Sequence, residues 1–88
     1  MDSDETILHL RGIVGVISVV HKSTFEVVRL RKDGAAQMLT VEVYDYGPEM
    51  QARYMCVATT ADGKCSSGHP MASMKGAITA VAWQELDG

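Results

Sequence analysis

The stretch DGKCSSGHPMASMKGAITAVAWQEL, residues 62–86, decides the fold of this chain. It opens on an Asp62-Gly63 turn, passes through a short polar strand and a Gly68-His69-Pro70 loop, and enters an apolar helix capped by Ser73. Ala77, Ile78, Val81, Ala82 and Leu86 recur at helical spacing as one stripe, and Gly88 with the chain end stops the helix. A helix with a single apolar stripe must bury it against another element, so the residues upstream have to supply that surface.

They read as strands. Residues 52–60 are apolar on both faces, with Tyr54, Cys56 and Ala58 on one side and Met55 and Val57 on the other, the pattern of a central strand. Residues 37–45 alternate, with Leu39, Val41 and Val43 on one face and Met38, Thr40, Glu42 and Tyr44 on the other. Tyr46-Gly47-Pro48-Glu49 is a loop, residues 24–31 are rich in Phe, Val and Leu, and Lys32-Asp33-Gly34 supplies a turn. Residues 64–67 form a short fourth strand.

Residues 2–22 read as a helix. Arg11, Gly15, Ser18 and Lys22 recur along one face, opposite Leu10, Ile13, Val14, Ile17 and Val20, and Asp2 with Glu5 supplies a capping box. Two glycines and a run of β-branched residues favour the other reading, a buried strand over residues 7–20. The expected architecture is α+β in one domain, residues 1–88: an antiparallel sheet of three to four strands with an N-terminal and a C-terminal helix packed on it.

Composition narrows the function classes. The chain has 88 residues, 47% apolar, and eight Lys and Arg against eleven Asp and Glu, a formal charge of −3. That balance does not suggest disorder and weighs against nonspecific nucleic-acid binding through the net field. The acidic start lacks the positive charge of a secretory signal, and the longest apolar run, residues 13–20, falls short of the roughly 20 residues that cross a bilayer. The chain is expected to be cytoplasmic. A two-residue turn at Asp62-Gly63 would set Cys65 opposite Thr60, about 13 Å along the strand from Cys56 at ~3.3 Å per residue. Free thiols are the reading that fits.

The order strand, Gly-Pro loop, strand, Asp-Gly turn, short strand and Ser-capped helix resembles the double-stranded-RNA-binding domain over residues 39–86. Ser73, Lys75, Ala77, Ala82 and Leu86 match the family's helix pattern, Gly47-Pro48 its Gly-Pro loop and Tyr54 the aromatic that opens its next strand. The resemblance implies phosphate contacts from lysines at the helix N-terminus. Met74 and Ile78 stand at two of those three lysine positions, leaving Lys75, and Met50 replaces the loop histidine. A looser likeness to HicB-like antitoxins rests on Cys65-Ser66-Ser67-Gly68 and implies the same topology.

Apolar residues at a surface that such a fold leaves wet point to a protein contact. Met71, Met74, Ile78 and Trp83 are therefore the candidate protein-binding residues, for a protein partner or a second copy. Arg29, Arg31, Arg53, Lys64 and Lys75 are the candidates for the alternative, an RNA-binding regulator. Cys56, Cys65 and His69 lack the close-spaced pairs of a zinc site, and Cys65 with His69 lacks the orienting group of a nucleophilic pair. No cofactor and no small-molecule ligand are implied. The expected function is a small non-catalytic interaction module, of the size and acidity of inhibitors and regulators carried by phages and mobile elements.

Overall fold

Two hairpins of the same construction build the sheet. A computed structural model describes residues 2–87. It contains helix α1 (Ser3–Arg11), strands β1 (His21–Leu30), β2 (Ala36–Asp45), β3 (Tyr54–Thr60) and β4 (Cys65–Ser67), helix α2 (Met74–Ala80) and a closing 3-10 turn (Trp83–Leu86). The strands form one antiparallel sheet in the order β1-β2-β3-β4. The fold is therefore α+β, with four strands, an N-terminal helix and a C-terminal helix.

The turn at Asp62-Gly63 has three loop residues rather than the expected two. Thr60 N–H donates to the Lys64 carbonyl at 2.7 Å and Gly63 N–H to the Thr60 carbonyl at 3.1 Å. Cys65 accordingly pairs with Thr59, not Thr60. A two-residue type I′ turn needs positive φ at both central residues, whereas here Gly63 alone has it, at 96°. Lys32-Asp33-Gly34 closes the β1–β2 hairpin the same way, with Gly34 at φ 84°. Both thiols are free, Cys56 buried and Cys65 exposed.

Alternation along β2 selects the covered face. Leu39, Val41 and Val43 join Cys56 and Ala58 of β3, Ala77 and Val81, and Leu86 in one buried cluster. Ser73 caps α2, its Oγ accepting from the Gly76 N–H at 3.0 Å. The helix expected to run to the C-terminus instead breaks at Val81, which is extended (φ −64°, ψ 135°). The 3-10 turn then swings Leu86 into the core, while Trp83 donates its indole N–H to the Ile78 carbonyl at 3.1 Å. Gly88, expected to stop the helix, lies outside the described residues.

The N-terminal helix is shorter than residues 2–22. Asp2 caps it by accepting from the Glu5 N–H at 2.8 Å, and it ends at Gly12. Residues 12–20 are neither helix nor strand, and Gly15 sits at φ 92°. Glycines at 12 and 15 among β-branched residues make helix propagation unfavourable once the first turns are complete. Only Ile7 of α1 is buried, against Gly47 at the β2–β3 loop. The helix thus sits at one end of the sheet, and the principal extents are 51 × 21 × 21 Å.

Two substitutions test the packing by urea denaturation. Leu86→Ala should cost about 2–5 kcal/mol through the cavity it leaves. Gly68→Ala should cost about 1–3 kcal/mol, because a Cβ there would lie 2.7 Å from the backbone carbon of Ala80.

Candidate functional site

Strand β1 is an edge, and its outer backbone groups can be assigned. Arg31 N–H donates to the Ala35 carbonyl at 2.9 Å. Bonded and non-bonded pairs alternate along an antiparallel ladder, so odd-numbered residues of β1 bond inward to β2. Lys22, Thr24, Glu26, Val28 and Leu30 therefore aim their N–H and C=O groups away from the sheet. Phe25 is on the helix-bearing face, because it pairs with Val41, but α2 does not reach it and it is 51% exposed. On the opposite face Val28, Leu30 and Met38 are exposed together, Val28 directly opposite Met38.

The segment entering β1, at the opposite end of the strand from Val28, Leu30 and Met38, is also apolar and exposed. Among residues 12–20, Val14 is 100% exposed and Ile17 99%, with Ile13, Val16 and Val20 also exposed. An apolar cleft of about 260 Å³ lies between this segment and α1, lined by Ile7, Leu10, Val19 and Val20 among others. Sequence reasoning assigned these residues to a helix and missed them. The signal was present as a run of β-branched residues broken by two glycines.

The four candidate residues on the C-terminal side divide. Met74 and Ile78 are exposed, at 42% and 37%. Met71 and Trp83 are partly buried and pack on the core. Met71 also exchanges both backbone hydrogen bonds with Tyr54, at 2.9 and 2.8 Å, continuing the outer edge of β3. The exposed helical strip is thus reduced to Met74 and Ile78.

The five candidate cations do not converge on a free basic stripe. Arg53 donates to both carboxylate oxygens of Asp45, at 2.6 and 2.9 Å, and also pairs with Asp4. Its guanidinium lies 5.0 Å from the centroid of the Tyr54 ring. Arg29 donates to Gln37 at 2.7 Å and lies 2.8 Å from Asp87, and Arg31 pairs with Asp33. With Arg11 on Glu49 and Lys22 on Glu42, five of the eight cations are matched with carboxylates. Lys64 and Lys75 are exposed, on the β3–β4 turn and on α2 respectively.

Titration is perturbed at the ion pairs. Hydrogen bonds from Arg53 hold the Asp45 carboxyl below its usual range, against the opposing effect of burial. Asp33 is lowered by Arg31, and Asp62 by Thr60. Burial pushes the Cys56 thiol up. No three His, Cys, Asp or Glu side chains converge to hold a metal among the described residues. No helix there is long and apolar enough to cross a membrane. No family model, curated protein or solved structure matches the chain.

The Asp45–Arg53 pair has a pH signature. A carboxyl whose folded pKa is depressed contributes stability above its unfolded pKa, about 3.9, and loses it as pH falls through the lower folded value. Urea midpoints should therefore drop between about pH 5 and pH 2. Asp45→Asn should lower stability at neutral pH by about 1.5–3 kcal/mol, the range for hydrogen bonds to a charged group, and should flatten that acid slope. An unchanged slope would assign the acid sensitivity to Asp33 and Asp62.

Proposed function

We propose that this protein is a non-catalytic interaction module that binds another protein chain through residues 13–20 and strand β1. The observation that carries the reading is the exposure of Val14 and Ile17, continuous along the chain with an uncovered edge strand bearing Phe25, Val28 and Leu30. A run of exposed apolar side chains such as Ile13, Val14, Val16 and Ile17 marks a contact surface more often than single scattered ones do. An edge with outward N–H and C=O groups adds main-chain hydrogen bonds to that contact, which is the mode of strand addition. Met74 and Ile78 form a second, smaller apolar strip on α2. RNA binding, the other expectation from the sequence, receives less support because Arg29, Arg31 and Arg53 are already engaged by carboxylates or a side-chain amide.

Affinity capture from source-cell extract, with and without nuclease, tests this. Captured protein, the untagged chain included, should survive nuclease and should be lost with Val14→Asp or Ile17→Asp. Both side chains are fully solvated, so far-UV circular dichroism should not change. Ile78→Lys should reduce capture less than either. Capture abolished by nuclease, or indifferent to the Val14 and Ile17 variants, would overturn the proposal.

A further inference from the structure

We propose that the chain taken up by β1 is a second copy of this protein, joined edge to edge by antiparallel β1–β1 pairing about a two-fold axis at Thr24. The inference rests on the reading of β1 and residues 13–20 as a protein-binding surface, and it names the occupant. β1 offers ten residues of open edge, whereas the opposite edge, β4, offers three. A two-fold axis normal to the sheet keeps the helix-bearing face of one copy beside that of the other. Opposed residues must then lie on the same face, which restricts the axis to pass through a single residue of β1.

Charge selects that residue. With the axis at Thr24, Lys22 of each copy stands opposite Glu26 of the other, giving two ion pairs. An axis at Glu26 would oppose two carboxylates and an axis at Lys22 two ammonium groups, both unfavourable directly across a ladder. Axes at Ser23, Phe25 or Val27 leave neither charge facing its opposite. Glu26 has no ion pair within one chain among the described residues, so its carboxylate is available. Lys22 reaches Glu42 at 2.8 Å within its own chain, and an ammonium with three donors can hold a second carboxylate.

The same register agrees with the backbone and with the apolar surface. Even-numbered residues carry the outward N–H and C=O groups, so Thr24 of each copy exchanges both hydrogen bonds with its counterpart. Phe25 faces Ser23 of the second copy, which sets the two Phe25 rings diagonal to each other and within reach. If the strand continues back through residues 18–20, Val20 faces Val28 and Ser18 faces Leu30 of the second copy. Residues 13–17 then arrive at the hairpin end of the neighbouring sheet, where Leu30 and Met38 are exposed.

Sedimentation equilibrium tests the pairing. The wild type should have twice its chain mass of 9.5 kDa. Lys22→Glu and Glu26→Lys should each weaken self-association by on the order of tenfold or more, because each sets like charges opposite one another twice. Mixed in equal amounts, the two variants should form a heterodimer, since both cross-strand pairs are then opposite in sign. In a Cys65→Ser background, Thr24→Cys should cross-link to itself on mild oxidation, hydrogen-bonded Cα atoms lying about 5.5 Å apart. Val28→Cys should not. A dimer indifferent to either charge reversal, a mixture that stays monomeric, or cross-linking at Val28 would overturn this register. A monomeric wild type whose capture of another protein still depends on Ile17 would overturn self-pairing and leave the binding surface standing. Capture that ignores Ile17 would remove the surface itself.

Discussion

The helices supply too little apolar surface to cover the sheet. Helix α2 has seven residues, about 10 Å at ~1.5 Å per residue, while β1 and β2 have ten each, about 33 Å at ~3.3 Å per residue. Leu39, Val41 and Val43 therefore meet their cover only where α2 and the closing 3-10 turn reach, over β2 to β4. Val27 is the residue of β1 that packs against that core, and Phe25, on the same face, remains half exposed. A strand placed outside the cover must be held by its ladder to β2 and by whatever lies against its other edge.

Ion pairs fasten what the core does not. Arg53 joins the two ends of the β2–β3 loop by gripping Asp45, whose Oδ1 also accepts the Gly47 N–H at 2.9 Å, and it reaches Asp4 to hold α1 at that end. At the other end, Arg29 supports Gln37, which donates to the Leu86 carbonyl at 2.6 Å and so clasps the 3-10 turn against the sheet. A charge taken out of water is stabilising only when its hydrogen bonds are satisfied. Arg53 meets that requirement on Asp45 and Asp4, whereas Arg29 donates to the Gln37 amide and lies beside an Asp87 Oδ1 that accepts no hydrogen bond. Arg29, Arg31 and Arg53, which the sequence offers as a basic stripe, each lie against a carboxylate of the same chain.

What was legible in the sequence followed from periodicity under cover. The alternation of residues 37–45 and the Ser73 cap are where the pattern placed them, because one face of β2 and one face of α2 are buried. Legibility failed where no burial enforces the pattern. Residues 12–20 carry Ile or Val at six of nine positions, so a helical spacing can be drawn through them although most of these side chains are exposed. Val81 fits the helical stripe and is buried, yet the backbone turns there so that Leu86 can fill the core from a 3-10 turn. The Asp-Gly pair is compatible with two loop lengths, and only the single positive φ at Gly63 decides between them. Of the four apolar residues assigned to a binding face, Met71 and Trp83 were needed by the core, which sequence alone does not apportion.

An open edge of this kind invites pairing, and its asymmetry limits the outcome. Natural sheets blunt their edges with short strands, charges or covering loops to prevent unbounded association. Here β4 is blunt by length, whereas β1 is long and carries Lys22 and Glu26 on its solvent face. A sheet with two long edges propagates into a fibre, but a sheet with one closes after a single addition, since the isologous contact consumes that edge in both copies. Lys22 and Glu26 then discriminate between registers, because shifting the axis by two residues in either direction confronts like charges. In the proposed dimer the apolar entry segment with Val14 and Ile17 is carried toward the exposed Leu30 and Met38 of the neighbouring sheet, so one contact covers both the open edge and the segment that precedes it.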